Sequence, residues 1–180
     1  MNIIRVGAMS VLGLTLAAPA VAQAPAADPA DVASPEAIVA AAYAAIARAP
    51  GEQYDWNRFR SLFLPTAHML PNTEQTGGRE LVLTVDGFID WVDSLTTIGG
   101  PGDQGFQEEG IALTVNRYGD IAQAFSTYRK HFWGQEQTLG LGINTFQLVR
   151  RGGRWWIAGI AWDEETSGEK IPEEYLPEGR

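Results

Sequence analysis

Apolar residues return every three or four positions between Ile38 and Ala47: Ile38, Val39, Ala42, Tyr43, Ile46 and Ala47 share one stripe. That period predicts an amphipathic helix. Ser34-Pro35-Glu36 supplies its start, with Ser at the N-cap and Pro at the first helical position, and Pro50-Gly51 its stop. A second helix is predicted from a cap at Asp55 through Trp56, Phe59, Leu62 and Phe63 to Pro65. A third starts at Val85-Asp86-Gly87, with Asp86 read as its cap. It carries Phe88, Ile89, Trp91, Val92 and Leu95, and ends before Gly99-Gly100-Pro101-Gly102. Two short extended pieces, residues 67–70 and 81–84, are predicted between the second and third helices.

Beyond residue 105 the pattern changes to alternation, the signature of strands. Four long strands are predicted over residues 105–118, 121–133, 139–150 and 155–163. Gly119-Asp120 and Gly152-Gly153 serve as tight hairpin turns between neighbours. Three helices followed by four sequential strands give an α+β domain, its helices packed on one face of a curved antiparallel sheet. Gly140 and Gly142 fall inside the third long strand, where glycine marks a bend or the close approach of other atoms.

The start and end of the chain read differently from its middle. Residues 1–22 have the form of a secretory signal peptide: Arg5, an apolar stretch, the helix-breaking Pro19, and Ala20-Val21-Ala22 as a small-x-small cleavage site. Cleavage there leaves Gln23 first, so a periplasmic or secreted protein with no membrane insertion after cleavage is expected. Residues 23–34, rich in Ala, Pro and Asp, read as a disordered spacer. The domain follows over 35–166, and residues 167–180 form a C-terminal arm packed on it.

The 180 residues include no cysteine, which excludes disulfides, thiolate metal sites, a cysteine nucleophile and a lipid-anchored N-terminus. With only His68 and His131 there is no His-rich metal centre either, and neither a metal nor another cofactor is expected. Thirteen Lys and Arg against 22 Asp and Glu leave a net charge of -9. That acidity argues against nucleic acid as a partner, because phosphates would be repelled.

Asp55-Trp56-x-x-Phe59 after a first helix, the strand Phe125-Ser126-Thr127-Tyr128 and the final strand Trp155-Trp156-Ile157 together resemble the nuclear transport factor 2-like superfamily. Within it the chain is similar to exported SnoaL-like bacterial proteins. The resemblance covers residues 35–166, and Ile171-Pro172 with Tyr175-Leu176-Pro177 adds to it. It implies a cone-shaped fold around an internal pocket. It does not imply a reaction, since the superfamily includes ketosteroid isomerase, scytalone dehydratase, polyketide cyclases and domains that only bind or dimerise. An isomerase of the ketosteroid type needs a carboxylate base near the pocket mouth and a second acid as oxyanion donor. Residues 65–70 and 122–128, where the resemblance would put them, contain no Asp or Glu.

Alternation sorts the late strands into two faces. Ala122, Ala124, Ser126 and Tyr128, then Asn144, Phe146 and Leu148, then Trp156, Ala158, Ile160 and Trp162 make a small, apolar face with isolated polar groups. That composition suits a ligand cavity. Gln123, Thr127, Arg129, Thr145 and Gln147 mark the other face, suited to a convex surface or a homodimer contact. Tyr43, Trp91, Ser126, Tyr128, Asn144, Trp156 and Trp162 are the expected ligand-binding residues. His68 and Asp163 are the candidate acid/base groups, His68 because its ordinary pKa lies near neutrality. Glu164 and Glu165 read as a solvated edge, and His131 as solvent-facing. The leading expectation is an exported pocket protein that binds a small, largely apolar molecule. The alternatives are an isomerase, dehydratase or cyclase working through His68 or Asp163, and a homodimeric interaction module.

Overall fold

The computed structural model describes residues 25–96, 98–100, 102–165 and 168–177. The signal peptide read from residues 1–22 lies outside them. Helices α1 (Pro35–Ala45) and α2 (Trp56–Ser61) precede strand β1 (Phe63–Leu70). Helix α3 (Val85–Leu95) follows it, and then the meander β2 (Gln107–Tyr118), β3 (Ile121–His131), β4 (Thr138–Arg151) and β5 (Arg154–Glu164). A single 3-10 turn, Glu173–Tyr175, lies in the C-terminal arm.

The caps follow the side-chain chemistry. Ser34 accepts from the Ala37 backbone N–H and Asp55 from that of Arg58, each satisfying a donor the helix itself cannot. The third helix is capped by Thr84, which accepts from Gly87, and not by Asp86. Asp86 sits in the first turn and pairs with Arg60 at 2.7 Å.

The sheet order is β1-β5-β4-β3-β2. The four long strands pair antiparallel, as their hairpins require, but β1 lies parallel to β5. The sheet is therefore mixed, because β1 enters it before α3 and is met again only when β5 returns. Only two helices precede the first strand. The extended piece expected at 81–84 reduces to a bridge between Leu83 and Met69. At the β4–β5 turn Gly152 and Gly153 both adopt positive φ, +58° and +82°, the conformation a two-residue hairpin demands.

Residues 25–34 differ from the spacer expected over 23–34. Val32 is 4% exposed and belongs to the core, its carbonyl accepts from Trp155 N, and Asp31 holds the Arg58 guanidinium by two 2.8 Å bonds. An Ala/Pro/Asp composition suggested disorder, but one buried apolar residue and one bidentate, partly exposed ion pair suffice to tie the segment down. At the other end the arm crosses the outer face of β3. Tyr175 packs on Phe125 with ring centroids 5.0 Å apart, and its carbonyl accepts from the Thr127 hydroxyl.

Helix α1 contributes Ile38, Val39, Ala42 and Tyr43 to the core, against Ala122, Ala124, Phe146, Leu148 and Ile157 of the sheet. Helices α2 and α3 close the remaining side through Phe59 and Ile89. What they leave between them is a cavity.

Candidate functional site

The cavity has a volume of about 440 Å3 and lies between the helices and the inner face of the sheet. Its walls are aromatic. Trp56 stacks on Tyr54 at 4.5 Å, Phe59 meets Trp56 edge-on at 5.7 Å and stacks on Phe88 at 5.5 Å, and Trp162 touches both Phe88 and Trp91. Helical spacing accounts for much of this: Trp56 and Phe59 are three apart on α2, Phe88 and Trp91 three apart on α3, so each pair shares one face. The indole N–H groups are satisfied, that of Trp56 by Asp93 at 3.0 Å and that of Trp162 by Gln75 at 2.7 Å.

The floor is polar and is built by the sheet. Gly110, Tyr128, Gly142 and Glu164 are register neighbours across β2, β3, β4 and β5. A side chain at Gly142 would strike the Tyr128 ring and the Asp163 carbonyl, so the glycine is what lets Tyr128 lie across β4. Its hydroxyl thereby reaches Glu164 on β5 and donates to it at 3.0 Å. One register step on, a side chain at Gly140 would lie 2.6 Å from the Lys130 Cε. Lys130 passes over it and donates to both Glu164 oxygens at 2.6 Å. Gln75 also donates to Glu164.

A second chain of bonds runs beside the first. The Tyr43 hydroxyl, from α1, donates to Ser126 at 2.8 Å and accepts from Asn144 Nδ2 at 3.2 Å. The same Asn144 nitrogen donates to Glu108 at 3.0 Å. Burial pushes the Glu108 carboxyl up to about 7, with the Glu164 charge acting the same way and Asn144 and Lys130 opposing it. Glu108 is half-buried and lines the cavity. Burial also raises Tyr43 and Tyr128, helped in each case by the Glu108 charge, so both phenols keep their protons across the physiological range.

Phe106 and Thr96 complete the lining from the loop between α3 and β2. Asp103 pins that loop by accepting from the backbone N–H groups of Gly51, Gly99 and Gly105 and from Arg48. Those backbone donors, with Arg48, hold its carboxyl well below the usual range.

Of the residues read from the sequence, Tyr43, Trp91, Tyr128, Asn144 and Trp162 line the cavity. Ser126 stands one bond behind, against Tyr43. Trp156 is on the other face of the sheet, where its N–H donates to the Arg151 carbonyl and the Arg154 guanidinium sits 3.5 Å over its ring. The cause is a bulge. Gln147 pairs with Gly159 and Leu148 with Ile157, so Ala158 has no partner and the alternation of β5 changes phase there. Trp155 and Ile157, not Trp156 and Ala158, share the inner face with Ile160 and Trp162.

Neither candidate acid/base reaches the cavity. His68 is exposed, because Ala67 and Met69 on either side of it point inward. Asp163 is also exposed and accepts from Asn72 Nδ2 and from the Glu164 backbone N–H. His131, read as solvent-facing, is 7% exposed, with Nδ1 3.0 Å from the Phe132 carbonyl and Nε2 3.9 Å from Glu109. The groups missed are Glu108, Lys130, Glu164 and Gln75. Continuing the alternation by two residues, from Tyr128 to Lys130 and from Trp162 to Glu164, finds two of them. Glu108 depends on a register shift between Gly110 and Ala112 that the sequence does not announce. Among the described residues no three His, Asp or Glu side chains converge as a metal site would.

No protein-family model matches the chain, and no curated protein matches it. Solved structures do. A domain of unknown function with a cystatin-like fold from Nostoc punctiforme aligns over 77% of this chain and 79% of that one, at 17% identity and TM-score 0.50. An NTF2-like protein of unknown function from Silicibacter pomeroyi aligns over 72% and 91%, at 18% identity and TM-score 0.46. One from Pseudomonas putida aligns over 68% and 79%, at 18% and 0.48. Likeness at such identities is likeness of fold, and fold assigns no reaction. The chain shares the α+β, cystatin-like fold of the Nostoc punctiforme domain.

Proposed function

We infer that this protein binds a small, largely apolar molecule in the cone interior, with the polar end of that molecule against Glu108. The observation that carries the reading is the pairing of a continuous aromatic wall with a floor of polar groups locked from four strands. Aromatic and aliphatic walls supply affinity by excluding water, and a few fixed polar groups set orientation. Native mass spectrometry of the protein purified from its own host tests this. A discrete extra mass that leaves on collisional activation is expected. A bare protein that also fails to bind any apolar probe would overturn the reading.

One observation favours a second reading, that of an enzyme moving a proton on such a molecule. Glu108 is a carboxyl on the cavity floor whose ionisation falls at about 7, where a group can both take and return a proton. In an isomerase, dehydratase or cyclase of this kind Glu108 would take the part expected of His68 or Asp163. Turnover following a titration near pH 7, and lost in Glu108→Gln, would support it. Unaltered turnover in that variant would end it. Export rests on the sequence of residues 1–22, and its test is whether the mature protein begins at Gln23 in a periplasmic or secreted fraction.

A further inference from the structure

We propose that the ligand is an amphiphilic cation: an apolar body bearing a protonated amine that pairs with Glu108. This rests on the pocket reading above and names the chemistry of its polar end.

The first ground is the charge on the floor. Glu108 and Glu164 face the cavity with Lys130 as the cation among them. Lys130 is committed, since both Glu164 oxygens accept from it at 2.6 Å, and Tyr128 and Gln75 donate to the same carboxylate. Glu108 has no such partner. Among the described residues the one hydrogen bond its carboxyl makes is from the neutral amide of Asn144. An anionic head would meet the Glu108 charge and have to compete with Glu164 for Lys130. An ammonium group meets a carboxylate that makes no salt bridge among the described residues, its nearest cation, Lys130, being paired with Glu164, and a charge-assisted bond there is stronger than any neutral one.

The second ground is the wall. Trp162 is the register partner of Asn144, the residue bonded to Glu108, and it stacks on Trp91 at 6.5 Å. Indole faces attract cations through the ring quadrupole, most where water is excluded. The walls that suit an apolar body therefore suit a cationic head as well, which they would not do for a carboxylate or phosphate. The net charge of -9 adds a long-range attraction of the same sign.

Glu108 is faced by Glu164 from β5, by Lys130 and Tyr128 from β3, by Asn144 from β4 and by Tyr43 from α1. In that setting burial raises its carboxyl to about 7. A bound ammonium favours the ionised form, so binding at pH 7 releases a proton from Glu108, and affinity for the cation rises as pH climbs through 7.

The test is calorimetric titration of the purified protein with three naphthylpropyl probes that end in an ammonium, a hydroxyl or a carboxylate. The ammonium probe is expected to bind about tenfold or more tighter than the alcohol, and the carboxylate weakest. Glu108→Gln should remove the preference, bringing ammonium affinity down to that of the alcohol in the same variant. Should that variant not fold, titration of the unmodified protein in buffers of different ionisation enthalpy gives an independent readout: proton release is expected with the ammonium and none with the alcohol. Equal affinity for the ammonium and alcohol, or a preference for the carboxylate, overturns the cation while leaving the pocket reading intact. Failure of all three to bind overturns both.

Discussion

The wall and the floor of the cavity are made by different rules. The wall comes from short-range order. Trp56 and Phe59 on α2, and Phe88 and Trp91 on α3, are brought to one face by helical period alone. The floor comes from long-range order: Glu108, Tyr128, Asn144 and Glu164 reach it from four strands, and each depends on cross-strand register. A wall residue can be exchanged for another apolar one and the wall persists in weaker form. A floor residue is tied to its partners, so that one added methyl group or one removed charge is felt across three strands.

Substitutions in the two regions should separate these behaviours. The largest expected loss is at the centre of the wall. Phe59 is 2% exposed and touches Trp56, Phe63 and Phe88, so Phe59→Ala should cost about 3–5 kcal/mol in urea denaturation. Phe59→Leu should recover most of that, since volume and polarity are nearly kept. Gly142→Ala comes next. Its new Cβ meets the Tyr128 phenol and the Asp163 carbonyl, and a cost of about 2–3 kcal/mol is expected. Pairing it with Tyr128→Ala should relieve part of that cost in a double-mutant cycle, whereas pairing it with Phe59→Ala should be additive.

Glu108→Gln tests the floor through pH. The folded carboxyl titrates at about 7, above its ordinary 4.5, so the native protein holds more protons than the unfolded chain between those values. Stability from this group therefore falls as pH rises through that window and levels off above 7. Glu108→Gln removes the penalty, and relative to the unmodified protein it should gain on the order of 2 kcal/mol between pH 5 and pH 8. A constant difference at both pH values would mean that the carboxyl ionises freely. His68→Ala should do least. The side chain is exposed and outside the cavity, so a change within about 0.5 kcal/mol and unaltered ligand affinity are expected.

The same contrast explains which parts were legible in the sequence. Helix periods and the strand alternation of residues 107–164 lead to the α+β fold, and they put Tyr43, Trp91, Tyr128, Asn144 and Trp162 on the cavity without any structure. Period breaks are what the sequence hides. One unpaired residue, Ala158, turned the expected inner Trp156 outward, and the parallel pairing of β1 with β5 leaves no local trace. The acids were misread for a related reason. Glu164 sits in a run of three acids that resembles a solvated edge, and only the approach of Lys130 and Tyr128 from β3, over the two glycines of β4, makes it an interior group. Gly140 and Gly142 were the visible sign, since two glycines in one strand mark space that other side chains fill.

The central claim is that the cavity ends in a carboxyl sheltered from water, and its most direct test is the titration of Glu108 itself. Carbon-13 NMR of the side-chain carboxyl, assigned through Glu108→Gln, should show a midpoint near 7 in the free protein. A midpoint near the ordinary 4.5 would show a floor open to bulk water, and the account of the site would fail with it.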